Sequence, residues 1–129
     1  MAHAVVSSPM LRMKRSAQSG DKTMTAAWQV VYTESCTMAY IFAGAEISLA
    51  NMIAGDTVDI RIRKTIISGG AWVNHDQIQY ADAQPASHPS VHVHPIPDTY
   101  GVSIEMRQVA GALINCEGEF FDAKRIGLT

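Results

Sequence analysis

Histidines are the residues of this sequence whose spacing best fits metal chemistry. His88, His92 and His94 fall within seven residues, and His75 lies in the segment before them. Because His92 and His94 are two residues apart, both imidazoles project from the same side of an extended strand. Two imidazoles on one side can share a metal such as zinc, copper or iron. His92 and His94 are therefore the candidate metal ligands.

A His-x-His pair also occurs in cupin barrels, where an acidic ligand follows, and Asp98 stands near that place. The glycine-rich context before the cupin motif and its second His-bearing motif are both missing here. Pro95 and Pro97 also interrupt an extended strand. Two other interpretations remain: histidines at a solvated or interfacial loop, or a pH-sensitive contact, since histidine titrates near neutrality. We expect the loop, with His92, His94 and Pro95 making contacts and no metal or other cofactor.

Other catalytic patterns are missing from the sequence. It has no Gly-x-Ser-x-Gly elbow, and Ser68-Gly69-Gly70 lacks the lysine and helix of a phosphate loop. Carboxylates stand singly on polar strand faces, as Asp59 and Glu105 do. The two cysteines, Cys36 and Cys116, lie in separate apolar segments without zinc spacing, which favours two buried free thiols. We do not expect an enzyme.

The charge is unevenly distributed. Residues 1–23 carry Arg12, Lys14, Arg15 and Lys22 against Asp21, a net of +3, so the rest carries −5 of the total of −2. This pattern predicts a flexible basic N-terminal arm on an acidic body, residues 24–129. Such an arm can contact nucleic acid, a phosphate-rich surface or an acidic patch on a neighbouring copy, or remain solvated.

Length and hydrophobicity indicate one soluble domain. A chain of 129 residues with 47% hydrophobic residues can bury a core without metals or disulfides. No apolar run approaches the roughly 20 residues of a membrane span, and none of signal-peptide length follows the basic N-terminal residues. We therefore expect no membrane association and no secretion by the usual route.

Period-two alternation dominates the body and predicts strands. In Thr57–Ile66, apolar residues alternate with Asp59, Arg61 and Arg63, and Ser68-Gly69-Gly70 turns the chain into a second strand, Ala71–Tyr80. Thr25–Thr33 and Cys36–Leu49 are also strand-like, and the alternation from Ala39 to Leu49 predicts one apolar face with a bulge or bend at Gly44.

Shorter strands are predicted at Val91–His94, Val102–Arg107 and Ala112–Phe121, with Asp98–Gly101 as a turn. No segment has helical periodicity over ten residues. One polar face per strand favours antiparallel pairing. The predicted fold is all-β, an antiparallel β-sandwich (jelly-roll-like or a small barrel) with an extended N-terminal arm. Nucleic-acid binding through Arg61, Arg63 and Lys64 is not expected on an acidic body.

Two longer segments carry a family resemblance. Glu46–Tyr80, EISLANMIAGDTVDIRIRKTIISGGAWVNHDQIQY, contains Leu-x-Asn-Met, Gly-Asp-Thr-Val, an alternating arginine-bearing strand, a glycine turn and a strand ending in Tyr80. YGVSIEMRQVAGALINCEGEFFD continues the pattern to a closing aromatic strand. Over residues 46–122 the chain resembles small β-sandwich virion structural proteins, of the capsid decoration or cement type, from tailed phages and archaeal head-tailed viruses.

The resemblance implies a virion protein, assembled in the host cytoplasm, that forms homotrimers and clamps the major capsid protein. It carries over no catalytic residue. The expected contact residues lie in the arm and in one loop: Arg12, Lys14, Arg15, His92, His94 and Pro95. Two alternatives stay open: a cupin-like metal module using His92 and His94, and a tail or fibre domain that binds a receptor or glycan through Trp72 or Tyr80.

Overall fold

The computed structural model describes residues 13–123, which form eight strands without a helix. The strands are β1 Met13–Arg15, β2 Gly20–Thr23, β3 Gln29–Ser48, β4 Thr57–Thr65, β5 Trp72–Ala81, β6 Ser90–Val93, β7 Ile96–Ala110 and β8 Asn115–Ala123. All pairings among them are antiparallel. The predicted all-β, antiparallel class is confirmed.

The strands form one continuous sheet that bends over itself into a sandwich. The sheet order is β1-β8-β3-β7-β4-β5, with β2 also paired to β8 and β6 to β3. The long strand β3 belongs to both layers, because its first half pairs with β7 and its second half lies between β6 and β8. The first layer thus holds β1, β2, β8, β6 and the end of β3, and the second holds β5, β4, β7 and the start of β3.

An aromatic cluster joins the two layers. Tyr32, from the start of β3, stacks on Phe120 of β8 with ring centroids 5.3 Å apart, and its ring lies equally close to Phe42. All three rings are fully buried. Aromatic side chains each bury a large apolar area, so this cluster supplies much of the force that closes the sandwich.

The bend in β3 lies at the predicted position. Gly44 has a φ of +107°, and a Cβ there would lie 2.8 Å from the Val93 carbonyl oxygen, so only glycine fits. The expected single apolar face from Ala39 to Leu49 is wrong. Phe42 and Ala45 are both buried while Ala39 is exposed, because the register of β3 shifts between Phe42 and Ala45.

The β4–β5 hairpin forms as the alternation predicted, with Thr57 opposite Ala81 and Thr65 opposite Trp72. The turn expected over residues 98–101 is wrong, because β7 continues from Ile96 to Ala110 without interruption. Thr99 lies opposite Tyr40 of β3, and this pairing holds the segment extended.

Residues 13–23, which the charge pattern assigned to the arm, pair with β8 as β1 and β2. The loop between these strands is bonded as well: Ser16 N–H donates to the Phe120 carbonyl at 2.8 Å, and the Gln18 side chain bonds both the N–H and the carbonyl of Thr33. Unpaired backbone groups at the edges of β8 and β3 attract this segment. Residues 1–12 of the predicted arm, Arg12 included, lie outside the described residues.

The two cysteines are free thiols: Cys116 is buried and Cys36 half-buried. Burial raises the pKa of Cys116 to about 11. Within residues 13–123, no helix has the length and hydrophobicity that crossing a bilayer requires.

Candidate functional site

The histidine pair lies on the outer face of the first layer. Val93 is buried, so the alternation of β6 turns His92 and His94 outward, where their rings meet edge to face with centroids 5.0 Å apart. His92 Nδ1 is 2.6 Å from Oε1 of Glu46, its cross-strand partner on β3. His92 is therefore held by a carboxylate on an exposed surface, and His94 packs against its ring.

These histidines do not gather a metal-ligand set within the described part of the chain. Three or more His, Cys, Asp or Glu side chains that could hold one ion are not found together there. Asp98 was the candidate acidic ligand of the cupin-like alternative, and its side chain lies outside the described side chains. Zinc and iron sites take at least three protein ligands as a rule, and His92 and His94 by themselves supply two.

Pro95 lies in the two-residue break between β6 and β7 and is exposed. It faces the bend at Gly44: a Cβ on Gly44 would lie 3.7 Å from the Pro95 nitrogen. Proline has no N–H to leave unpaired at such a break. The loop predicted around His94 and Pro95 is thus short and fixed by the bend of β3.

Of the predicted basic contact residues, Arg15 is placed in full. It is exposed and forms an ion pair with Glu119 of β8. Lys14 lies in β1 opposite Asp122, and only its backbone is described. Arg12 is outside the described residues.

One row of side chains connects the two predicted contact regions across the first layer. Glu119 is the cross-strand partner of Glu46, so the order across the sheet is Arg15, Glu119, Glu46 and His92. The Arg15–Glu119 ion pair and the His92–Glu46 hydrogen bond are both exposed, and such contacts each contribute about 0–1 kcal/mol. The arm and the histidine loop, far apart in sequence, therefore share one outer surface.

A cleft of about 220 Å³ opens between β5 and β6, where the two layers part. Its floor is apolar, with Ile60, Ile62 and Val93, and its rim carries polar side chains, among them Asp76 and Tyr80. Burial, and secondarily the charge of Asp76, raise the pKa of Tyr80. The cleft is shaped for an apolar group with polar partners at its edge.

The outer face of the second layer holds a charged network around Trp28. The guanidinium groups of Arg61 and Arg107 lie 4.2 and 4.4 Å from the Trp28 ring centroid. Arg61 Nε donates to Glu105 at 2.6 Å, and Arg107 Nε donates to Asp59 at 2.8 Å. These arginines are neutralised and stacked in place, which argues against their use as a phosphate-binding stripe.

Exposed apolar side chains concentrate at the two ends of β4. At the hairpin end, Ile66 and Ile67 are 65% and 66% exposed, and Val73 lies beside them on β5. At the other end, Ile53 is 65% exposed and Leu113 56%. Clusters of exposed apolar residues mark contact surfaces more often than isolated ones do.

Sequence reasoning missed both the cleft and the Trp28 network. The alternation of β4 identified its charged face. It did not show that β7 adds Glu105 and Arg107 to this face, or that the segment before β3 adds Trp28. A signal for the cleft existed in β5, whose alternation is weak, as is typical of an edge strand with both faces partly exposed.

Comparison with known proteins gives a likeness of fold. No protein-family model matches the chain, and no curated protein matches it significantly. Among solved structures, the VP2 subviral particle of infectious bursal disease virus is similar, with a TM-score of 0.50 and 11% identity. The match covers 90% of this chain and 32% of VP2, so the chain spans about a third of the length of the protein it resembles.

Proposed function

We propose that this chain is a virion structural protein and, more specifically, a capsid decoration or cement protein. The observation that carries the proposal is the fold likeness, over 90% of the chain, to a protein that builds a viral particle. The sequence resemblance over residues 46–122 supports the same role independently of that structure. On this proposal the chain resides in the virion, after assembly in the host cytoplasm.

The proposed partners are the major capsid protein and further copies of the chain, as a homotrimer. The exposed apolar clusters at the two ends of β4 support protein contacts, because each offers apolar area that water would otherwise cover. One cluster (Ile66, Ile67 and Val73) lies at the hairpin tip, and the other (Ile53 and Leu113) lies beside the turn into β8. Two separate contact surfaces suit a protein that bridges neighbouring subunits.

The proposed capsid-binding residues are those of the arm and the histidine loop: Arg12, Lys14, Arg15, His92, His94 and Pro95. The row from Arg15 to His92 supports this choice, since it puts both regions on one outer surface. Each contact is weak, but a lattice presents many identical sites, and multivalency strengthens the sum.

The direct test is to look for the chain in purified virions. Mass spectrometry of particles should find it at a fixed ratio to the major capsid protein, and labelling should place it on the head. The purified full chain should also cosediment with particles that lack it. Binding should weaken as salt rises, because the arm contacts are ionic.

Single-site variants sharpen this test. Arg15→Ala and His94→Ala should each weaken cosedimentation about two- to fivefold, the range of one exposed polar contact. Gln84→Ala, at a half-buried loop residue outside this surface, is the matched control and should bind normally. A chain missing from virions and unable to bind capsids contradicts the proposal, and labelling of the tail tip alone would favour the receptor-binding alternative.

A further inference from the structure

The two long sides of the sandwich differ in how their edges are covered. On one side, the segment 16–25 bonds the edges of β3 and β8: Gln18 bonds Thr33 at 2.8 and 2.9 Å, and the Thr23 carbonyl accepts from the Gln29 side chain at 2.9 Å. On the other side, β5 pairs with β4 and β6 pairs with β3, and within residues 13–123 neither has a second neighbour. The cleft lies between these two open edges.

β5 has few of the usual means of protecting an open edge. Its ten residues include neither proline nor lysine, and eight of them are exposed. Edge strands are ordinarily blocked by such residues, because unpaired N–H and C=O groups bind any extended chain that reaches them. A bulge opposite Ile62 and Arg63 and the charge of Asp76 are the protections that β5 carries.

The cleft beside β5 offers side-chain pockets as well as backbone groups. Ile60 and Val93 form part of its floor, and both also belong to the core. Ile78, on the rim, is 45% exposed and so has apolar surface left for a ligand. Backbone pairing with alternate side chains in pockets is how strand addition recognises a peptide.

We infer that residues 1–12 of a second copy of this chain bind as an added strand in the cleft between β5 and β6. The inference deepens the self-association in the proposed function and rests on it. In that segment, Val5 and Val6 are β-branched residues suited to a strand and to apolar pockets. The segment contains no acid, so it is compatible with a cleft whose acidic lining residue is Asp76.

The reach of the chain assigns the segment to a neighbouring copy. β1 and β6 are separated by β8 and β3, so a strand added beyond β6 is four spacings, about 19 Å, from β1. A chain that crosses the outer face of the first layer must also rise over the side chains and descend again. Each of these steps adds about 5 Å to its path, half the spacing of packed layers. From Val6 to Met13 the fully extended chain spans about 24 Å, which is too short for that route.

Sedimentation of the full chain with three variants tests the inference. The wild type should self-associate, and Val6→Lys and Ile78→Glu should each raise the dissociation constant at least about tenfold, since each puts a charge into an apolar contact. The double variant Val6→Lys with Ile78→Glu should regain association, because the two new charges attract. Val109→Glu, 47% exposed and outside the cleft, is the matched control and should associate as the wild type does.

Circular dichroism of each variant checks that the sheet is intact. A monomeric wild type, or single variants that associate normally, would overturn the inference, and so would hydrogen-exchange protection of residues 4–8 in a monomer. Self-association through the cleft without any capsid binding would support this inference and contradict the virion role. Capsid binding by a chain that stays monomeric would support the virion role and contradict this inference.

Discussion

Gln108 is buried where β7 ends, and its side chain bonds the turn that leads to β8. Nε2 donates to the carbonyls of Ala110 and Ala112 at 3.0 and 2.8 Å, and Oε1 accepts from the Ile114 N–H at 3.0 Å. The side chain is 2% exposed. One amide group thus satisfies three backbone groups at a turn that joins the two layers.

Replacing Gln108 with methionine keeps the volume and removes all three hydrogen bonds. Each buried hydrogen bond contributes about 1 kcal/mol net, giving an upper value of about 3 kcal/mol. Ala110 and Ala112 are exposed, so water can reach their carbonyls, whereas Ile114 is half-buried. We therefore expect Gln108→Met to lower the free energy of unfolding by about 2 kcal/mol, a large share of the roughly 5–15 kcal/mol of a typical domain.

Urea denaturation followed by circular dichroism measures this change. The midpoint should fall while the slope of free energy against urea stays constant, because the same surface is exposed on unfolding. The melting temperature should fall by roughly 8 °C, at about 4 °C per kcal/mol for a chain of this size. Gln77→Met, on the exposed edge strand β5, is the matched control and should change the midpoint little.

A loss below about 0.5 kcal/mol for Gln108→Met, the range of ordinary surface substitutions, would refute the reasoning. It would mean that water replaces the amide at all three backbone groups, and that β7 and β8 are held in place by their separate pairings with β3. A loss as large in Gln77→Met would point instead to an effect of methionine on the unfolded chain.

Two further predictions concern the backbone and the thiols. Gly55 and Gly111 both have φ near +90°, but a Cβ at Gly55 meets open space and one at Gly111 overlaps the Asp56 carboxylate. In urea denaturation, Gly55→Ala should lower the free energy of unfolding by about 1–2 kcal/mol, and Gly111→Ala should lower it by at least about 1 kcal/mol more. Equal losses in the two variants would contradict the overlap with Asp56. The pKa of Cys116 is raised to about 11, so at pH 8 the fraction of Cys116 present as thiolate is roughly a hundredfold smaller than for an ordinary cysteine. Iodoacetamide should therefore label Cys36 first. It should label Cys116 only as the pH rises towards 11 or when the protein unfolds. Equal labelling rates, read by mass spectrometry of the two peptides, would refute the buried thiol.

Period-two alternation predicted the strands well where an apolar face and a charged face alternate. β4 illustrates this: Val58 and Ile60 are buried, while Arg61 lies on the charged face. The same rule failed before Gly44, since a register shift buries Phe42 where a regular strand would turn it outward. Bulges depend on which strand lies opposite, and a single sequence does not contain that partner.

The candidate contact residues show the same division. The spacing of His92 and His94 predicted that both would point to one side, and both are exposed with their rings in contact, His92 on β6 and His94 directly after it. That Glu46 binds His92 while Glu119 binds Arg15 depends on two strand registers between residues more than 40 positions apart. Those registers follow from closing the aromatic core, so the shared surface could not be predicted from local spacing.

By itself, the sequence determined the all-β class, the antiparallel pairing, the β4–β5 hairpin and the bend at Gly44, because these follow from local side-chain alternation and from the backbone freedom of glycine. Tertiary structure alone decided which edges are paired and which stay open. Residues 16–25 cover one side of the sandwich and leave the cleft between β5 and β6 on the other. That choice is made by non-local hydrogen bonds and core packing, which act between residues that the sequence keeps far apart.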